Sequence, residues 1–267
     1  MRAMLLSFNN CRFSEGRDQA ADLRATLAAA KQQDAAGADF LNDLFVLDRY
    51  VDFLATYGET WQAVIDKRFS DSWVHLQDAL DLLRVIKKFS DIDVAFFEDQ
   101  LIELENAYPY AMFSSVGMTV SWFKCSLCGQ DIDADDCPHI RGELYSGEMA
   151  QAVAQDVIGL SHVSLLKNPD DKRCVISYGD ETAPPFNIIR YVSDLVASGT
   201  ARISDFRGLV FSKRTIPNPE YVELDSSKPC FCGSGVRFDE CCVSKASVEI
   251  DHVDVTTDPA DIGSAVV

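Results

Sequence analysis

Fifteen residues in the middle of the chain, Cys125-Ser-Leu-Cys-Gly-Gln-Asp-Ile-Asp-Ala-Asp-Asp-Cys-Pro-His139, limit the folds open to it more than any other stretch. Four soft ligands fall there in the order Cys-x2-Cys-x8-Cys-x-His. A Cys-x2-Cys turn lets two sulfurs approach one ion, and a second short pair completes a tetrahedron. The spacing predicts a structural zinc site at Cys125, Cys128, Cys137 and His139. Asp131, Asp133, Asp135 and Asp136 make the intervening loop too polar to bury, which argues against a cluster of core thiols. Asp131-x-Asp133-x-Asp135 also matches the start of an EF-hand loop. That reading fails at the sixth position, Asp136 where a turn glycine is needed, and at the twelfth, Gly142 where a bidentate glutamate is needed. Four protein ligands fill a tetrahedral shell, so this metal is expected to build structure rather than activate water.

Before this stretch the sequence reads as helix, and after it mostly as short strands. Residues 17 to 37 are rich in Ala, Gln, Arg and Asp and predict a solvent-facing helix. Phe40, Leu44, Leu47, Val51 and Leu54 form an apolar stripe at helical spacing, expected to end near Gly58. Ser70 or Asp71 can cap a second striped helix carrying Trp73, Leu76, Leu80 and Leu83. Ser90 or Asp91 can cap a third, with Val94, Phe97, Leu101, Leu104 and Tyr108. Short links between such helices predict antiparallel neighbours in a bundle. Met118–Phe123 then reads as a strand leading into Cys125. Val153–Leu166 is rich in β-branched residues and stops at the turn Asn168-Pro-Asp-Asp171, with Arg173–Tyr178 as its partner strand. Asn187 caps a short helix closed by Gly199, and Gly208–Ser212 reads as a last strand before the linker Ile216-Pro-Asn-Pro-Glu220.

A second cysteine cluster follows in Lys228-Pro-Cys-Phe-Cys-Gly-Ser-Gly-Val-Arg-Phe-Asp-Glu-Cys-Cys242. The spacing Cys-x-Cys-x8-Cys-Cys, the Gly233-Ser234-Gly235 turn and the aromatic Phe238 resemble the SEC-C motif, a small zinc module found at the tail of the SecA translocase. The resemblance covers about fifteen residues and implies Cys230, Cys232, Cys241 and Cys242 as zinc ligands. It departs from the family where Asp239 and Glu240 replace basic residues around the aromatic, so the acidic export chaperone linked to that module is not carried over. The residues themselves also suit a metal site, since Cys-x-Cys forms a tight knuckle and Gly233 and Gly235 can take positive φ. Cys11 and Cys174 fit neither cluster and are expected to be small core residues.

The predicted fold class is α+β: a helical bundle over 1–115, a zinc-centred α/β domain over 116–215, a linker over 216–227, a SEC-C-like module over 228–243 and an acidic disordered tail over 244–267. The chain holds 42 acidic and 24 basic residues, a formal charge of −18, which opposes nucleic acid and anionic lipid as partners. No run of apolar residues is long enough to span a membrane, and Met1–Asn10 is too short in apolar residues for a secretory signal. Nine cysteines, odd in number and tightly clustered, fit metal binding in a reducing compartment, so the expected location is the cytoplasm. No nucleophile elbow, His-Glu-x-x-His helix, dinucleotide fingerprint or phosphate-binding loop occurs. His162, amid Leu160, Val163 and Leu165, reads as a satisfied core histidine. The expected function is a zinc-binding, non-enzymatic adaptor in which the zinc modules or the helical bundle binds another protein. The alternative is a metal-assisted hydrolase or nuclease component active within a complex.

Overall fold

The computed structural model describes residues 1–32, 37–176, 179–217, 227–230, 232 and 234–258. They form a mixed α+β protein that divides into two compact units, Met1–Asp205 and Phe206–Asp258. The boundary expected at 115/116 therefore falls inside the first unit.

The first unit is built on α1 (Arg2–Asn9), α2 (Phe13–Lys31), α3 (Ala38–Ile65), α4 (Phe69–Phe89) and α5 (Ala95–Glu105). The striped positions behave as core: Val51, Leu54, Leu76, Leu83, Phe97, Leu101 and Leu104 are fully buried, although Phe40 at the head of α3 is exposed. α3 does not stop at Gly58. A Cβ at Gly58 would lie 2.6 Å from the Phe8 ring, and one at Gly16 would lie 2.2 Å from the same ring. The two glycines are thus seats for a buried aromatic from α1, and Gly58 serves packing rather than helix termination. Phe97 meets Phe53 and Tyr57 edge-on at 5.1 and 5.3 Å, so α5 locks onto α3 through aromatic contacts.

The caps differ from those expected. The first two amides of α4, Phe69 and Ser70, donate to the Glu181 carboxylate at 2.8 and 2.7 Å, a cap supplied from far along the chain. At α5 the acceptor is Asp93, bonded by the Ala95 N–H at 3.0 Å. At α4 the sequence-local candidates lose because the fold supplies a carboxylate that accepts from both amides.

Two long antiparallel strands, β1 (Phe113–Cys125) and β4 (Ala152–Leu166), pair along their whole length with two register shifts. Phe113 stacks on Trp73 of α4 at 6.4 Å, anchoring one end of the ribbon. Between them lies a small hairpin, β2 (Leu144–Tyr145) and β3 (Glu148–Met149). The partner expected at Arg173–Tyr178 shrinks to one bridge, Phe113 with Val175, and residues 177–178 lie outside the described residues. α6 (Asn187–Ala197) buries Ile189, Val192 and Val196 and ends before Gly199 at φ 75°. It packs on α3, where the Ser193 hydroxyl donates to Ile65 O at 3.5 Å and Lys67 pairs with Asp194 at 2.7 Å.

The second unit corrects the expected tail. β5 (Phe206–Pro217) pairs antiparallel with β6 (Ser247–Thr257), and the short helix α7 (Phe238–Cys241) lies between them in sequence. Carboxylates at 249, 251 and 254 disguised this strand, in which Val248 and Ile250, and then Val253 and Val255, stand two residues apart on opposite faces. Phe211 sits opposite Val253 and Leu209 opposite Val255. Ile216 and Pro217, expected in the linker, end β5, while 218–226 and 259–267 lie outside the described residues.

Candidate metal centres

The central cluster sits where the ribbon turns. Cys125 is the last residue of β1, and its N–H donates to Gln130 O at 2.7 Å while its carbonyl accepts from Gly129 N–H at 3.0 Å. Gly129 takes φ 78°, which closes this knuckle and brings Cys128 back toward Cys125. Ile132 N–H then bonds Phe123 O at 2.8 Å, directing the acidic loop outward and returning Cys137 and His139 to the same point.

The ligand atoms of Cys125, Cys128, Cys137 and His139 all lie within 4.8 Å of one another. Cys128 Sγ is 3.7 Å from Cys137 Sγ, and Cys125 Sγ is 3.6 Å from His139 Nδ1. A bond of about 2.3 Å from zinc to sulfur sets the edge of a tetrahedron near about 3.8 Å, and slightly less when one ligand is nitrogen. The cluster has the dimensions of such a cage. Cys125 is buried and its thiol is held below its ordinary range, first by the Cys128 backbone N–H, which favours the thiolate a metal needs.

Residues that the spacing does not reveal hold the cage in place. Tyr145 meets the His139 ring edge-on at 4.8 Å, and its hydroxyl accepts from Ile140 N–H at 2.9 Å. Arg141 lies over Phe123 at 5.0 Å. The loop is also fastened to the helices: Lys88 donates to Gly142 O at 2.6 Å and pairs with Glu143, while Gly147 N–H donates to Asn42 at 2.8 Å. Tyr145, Asn42 and Lys88 carry no spacing motif, so only the fold identifies them. Asp131, Asp133 and Asp135 gather into no third ligand group among the described residues.

The C-terminal cluster brings together Cys230, Cys232, Cys241 and Cys242 within the same 4.8 Å limit. Cys241 Sγ lies 3.6 Å from both Cys232 Sγ and Cys242 Sγ, again the edge of a tetrahedron. Cys230 N–H bonds Val236 O at 2.7 Å, and Phe238 N–H bonds Lys228 O at 3.0 Å, so a miniature hairpin presents the first pair. Gly235 has φ 73°, whereas Gly233 lies outside the described residues. Burial pushes the Cys242 thiol up to about 12, while the Ser234 hydroxyl and backbone N–H pull Cys232 down to about 6. Cys230, Phe238, Cys242 and Val248 form one buried cluster with Ile216 against it, so the cysteines are docked on the ends of β5 and β6 and do not hang on a tether.

The remaining candidates sit elsewhere. His162 is exposed on the ribbon, with Nδ1 3.0 Å from the Ser161 hydroxyl, and is not a core residue. Cys11 and Cys174 are exposed too, contrary to expectation. A cavity of about 400 Å³ opens beside α3 and α4, lined in part by Phe45, Arg49, Asp78, Asp81 and Arg173. Its arginines are already paired, Arg173 with Asp81 at 2.8 Å and Arg49 with Asp52 at 2.9 Å. No helix among the described residues is long and apolar enough to cross a membrane. No family model, curated protein or solved structure matches this chain.

Proposed function

We propose that this protein is a two-zinc, non-enzymatic adaptor that binds another protein, with the C-terminal cysteines forming a SEC-C-like module. The observation that carries the reading is the pair of complete four-ligand groups, each with the edge lengths of a filled tetrahedron. A filled shell leaves no position for a substrate or an activated water, so each metal would serve to fix backbone. Thiolate-rich donor sets favour zinc among the common cellular divalent ions, and a reducing cytoplasm would keep the thiols available. The acidic chain, at −18, suits a partner with basic or apolar surface rather than nucleic acid. The test couples elemental analysis of the purified protein with affinity capture from native cells. Two zinc ions per chain with a reproducible protein partner is the expected outcome. Metal-dependent cleavage of DNA, RNA or a protein substrate, lost on Cys125→Ala, would replace this reading with a catalytic one.

A further inference from the structure

The ribbon of β1 and β4 carries a continuous apolar face that the rest of its unit leaves open. Residues directly opposite in an antiparallel pair share a face, so Val116 lies beside Val163, Met118 beside Leu160 and Val120 beside Val157. Leu160 is 73% exposed, Val163 69%, Leu165 63% and Met118 58%. Over the same stretch the other face carries no large apolar side chain, with Ser115 opposite Ser164, Gly117 opposite His162 and Thr119 opposite Gly159.

The two register shifts maintain this division. Along β4 the apolar residues of the face are Val157, Leu160, Val163 and Leu165, spaced three, three and two apart. A regular strand would turn every three-step to the opposite side. Each bulge adds one residue to β4, between the pairs 117/162 and 118/160 and between 119/159 and 120/157, and so returns the next apolar residue to the same side. Single exposed apolar residues need no explanation, but a contiguous row kept in line by two bulges does. A two-stranded ribbon is also marginal in water without a covered face.

We infer that this face pairs with the same face of a second copy of the chain. Charge limits a second copy to this face. From position 114 to 122 of β1 and opposite it on β4 the face holds no charged side chain, whereas two chains at −18 repel over the rest of their surfaces. Two copies can therefore approach closely only through an uncharged patch, and such a patch needs an apolar counterpart, which its twin supplies. Size agrees. Strands of this length make a face roughly 40 by 10 Å, so a facing pair would remove on the order of 1,000 Å² from water, the lower end for specific interfaces. A two-fold axis near Met118 and Leu160, the middle of the ribbon, makes the contact isologous. The inference stands on the ribbon and does not depend on the identity of the metal.

Sedimentation equilibrium on the full metal-loaded chain tests it. Self-association with a Kd of about 1–100 µM is expected for an interface of this size. Leu160→Glu should weaken it about 100-fold, with metal content and circular dichroism unchanged, because a carboxylate would be buried against its twin. Ser115→Asp, on the opposite face, should associate like the wild type. Mixing Leu160→Glu with Leu160→Lys chains should restore association, which only a contact between like faces can do. Should Leu160→Glu lose its metal or fold, Val163→Ser, which adds no charge, takes its place in the comparison. A wild-type chain that stays monomeric through this range overturns the proposal. So does equal weakening by Leu160→Glu and Ser115→Asp, or a monomer that binds lipid vesicles through Leu160.

Discussion

Phe8 shows how much a single side chain can settle. Its ring lies where a Cβ would stand on two different helices, so the register of α1 against α2 and α3 is fixed by what Gly16 and Gly58 lack. Gly58→Ala is expected to destabilise the protein by about 1–3 kcal/mol despite alanine's better helix propensity, because the added methyl meets a packed ring. Denaturant midpoints measure this, and a double change with Phe8→Leu should cost less than the sum of the two single changes. A second residue-scale expectation concerns protons. Cys242 holds its proton at neutral pH, burial having raised its pKa to about 12, and must release it to bind a metal. Zinc affinity of the C-terminal cysteines should therefore rise with pH through the neutral range and beyond, and zinc addition in weak buffer should release acid. Cys232, drawn down to about 6 by Ser234, is already mostly thiolate at neutral pH. Ser234→Ala should thus weaken binding most below about pH 6 and progressively less as pH rises, as read by competition with a chromogenic chelator.

At the scale of elements, both ligand clusters sit at strand ends. The central cage joins β1 to β4, so Cys125→Ala should cost several kcal/mol and strip hydrogen-exchange protection from both strands. Cys241→Ser with Cys242→Ser should do the same to β5 and β6, since the cysteines share a buried cluster with Val248 and Ile216. If β5 and β6 stay protected in that double variant, the hairpin stands without its metal. The sequence made the eight ligands and the helical stripes legible because each rests on local spacing, and the cages close on those same residues. It concealed β6, whose carboxylates resembled a solvated tail, and the pairing of β4 with β1, because the nearby turn at Asn168–Asp171 pointed to Arg173–Tyr178 as the partner. Caps were misread for a similar reason: Ser70 looks sufficient until Glu181 arrives from elsewhere in the fold.

For the whole molecule, the expected metal content is two zinc ions per chain after dialysis without strong chelator, measured by elemental analysis. One ion, or iron, would remove at least one cage from the account. The division into Met1–Asp205 and Phe206–Asp258 was not legible, because the sequence places its visible change of character near residue 115. That change is real in secondary structure but not in packing. α6 returns to α3, and the Gln100 side chain donates to Ile203 O at 3.0 Å, so residues from both sides of the apparent break share one core.

The position of the central cage has a kinetic meaning. β1 and β4 are separated by residues 126–151, a stretch with only a small hairpin of its own, so pairing Cys125 with Ala152 closes a long loop at an entropic cost that grows with its length. A captured ion would draw Cys125, Cys128, Cys137 and His139 together first and leave only a short segment to be closed before the strands meet. Refolding would then begin at the metal and zip toward Phe113 and Leu166. Stopped-flow refolding should show strand formation accelerating with zinc concentration, while the helices, whose contacts are largely local, collapse at a rate indifferent to it.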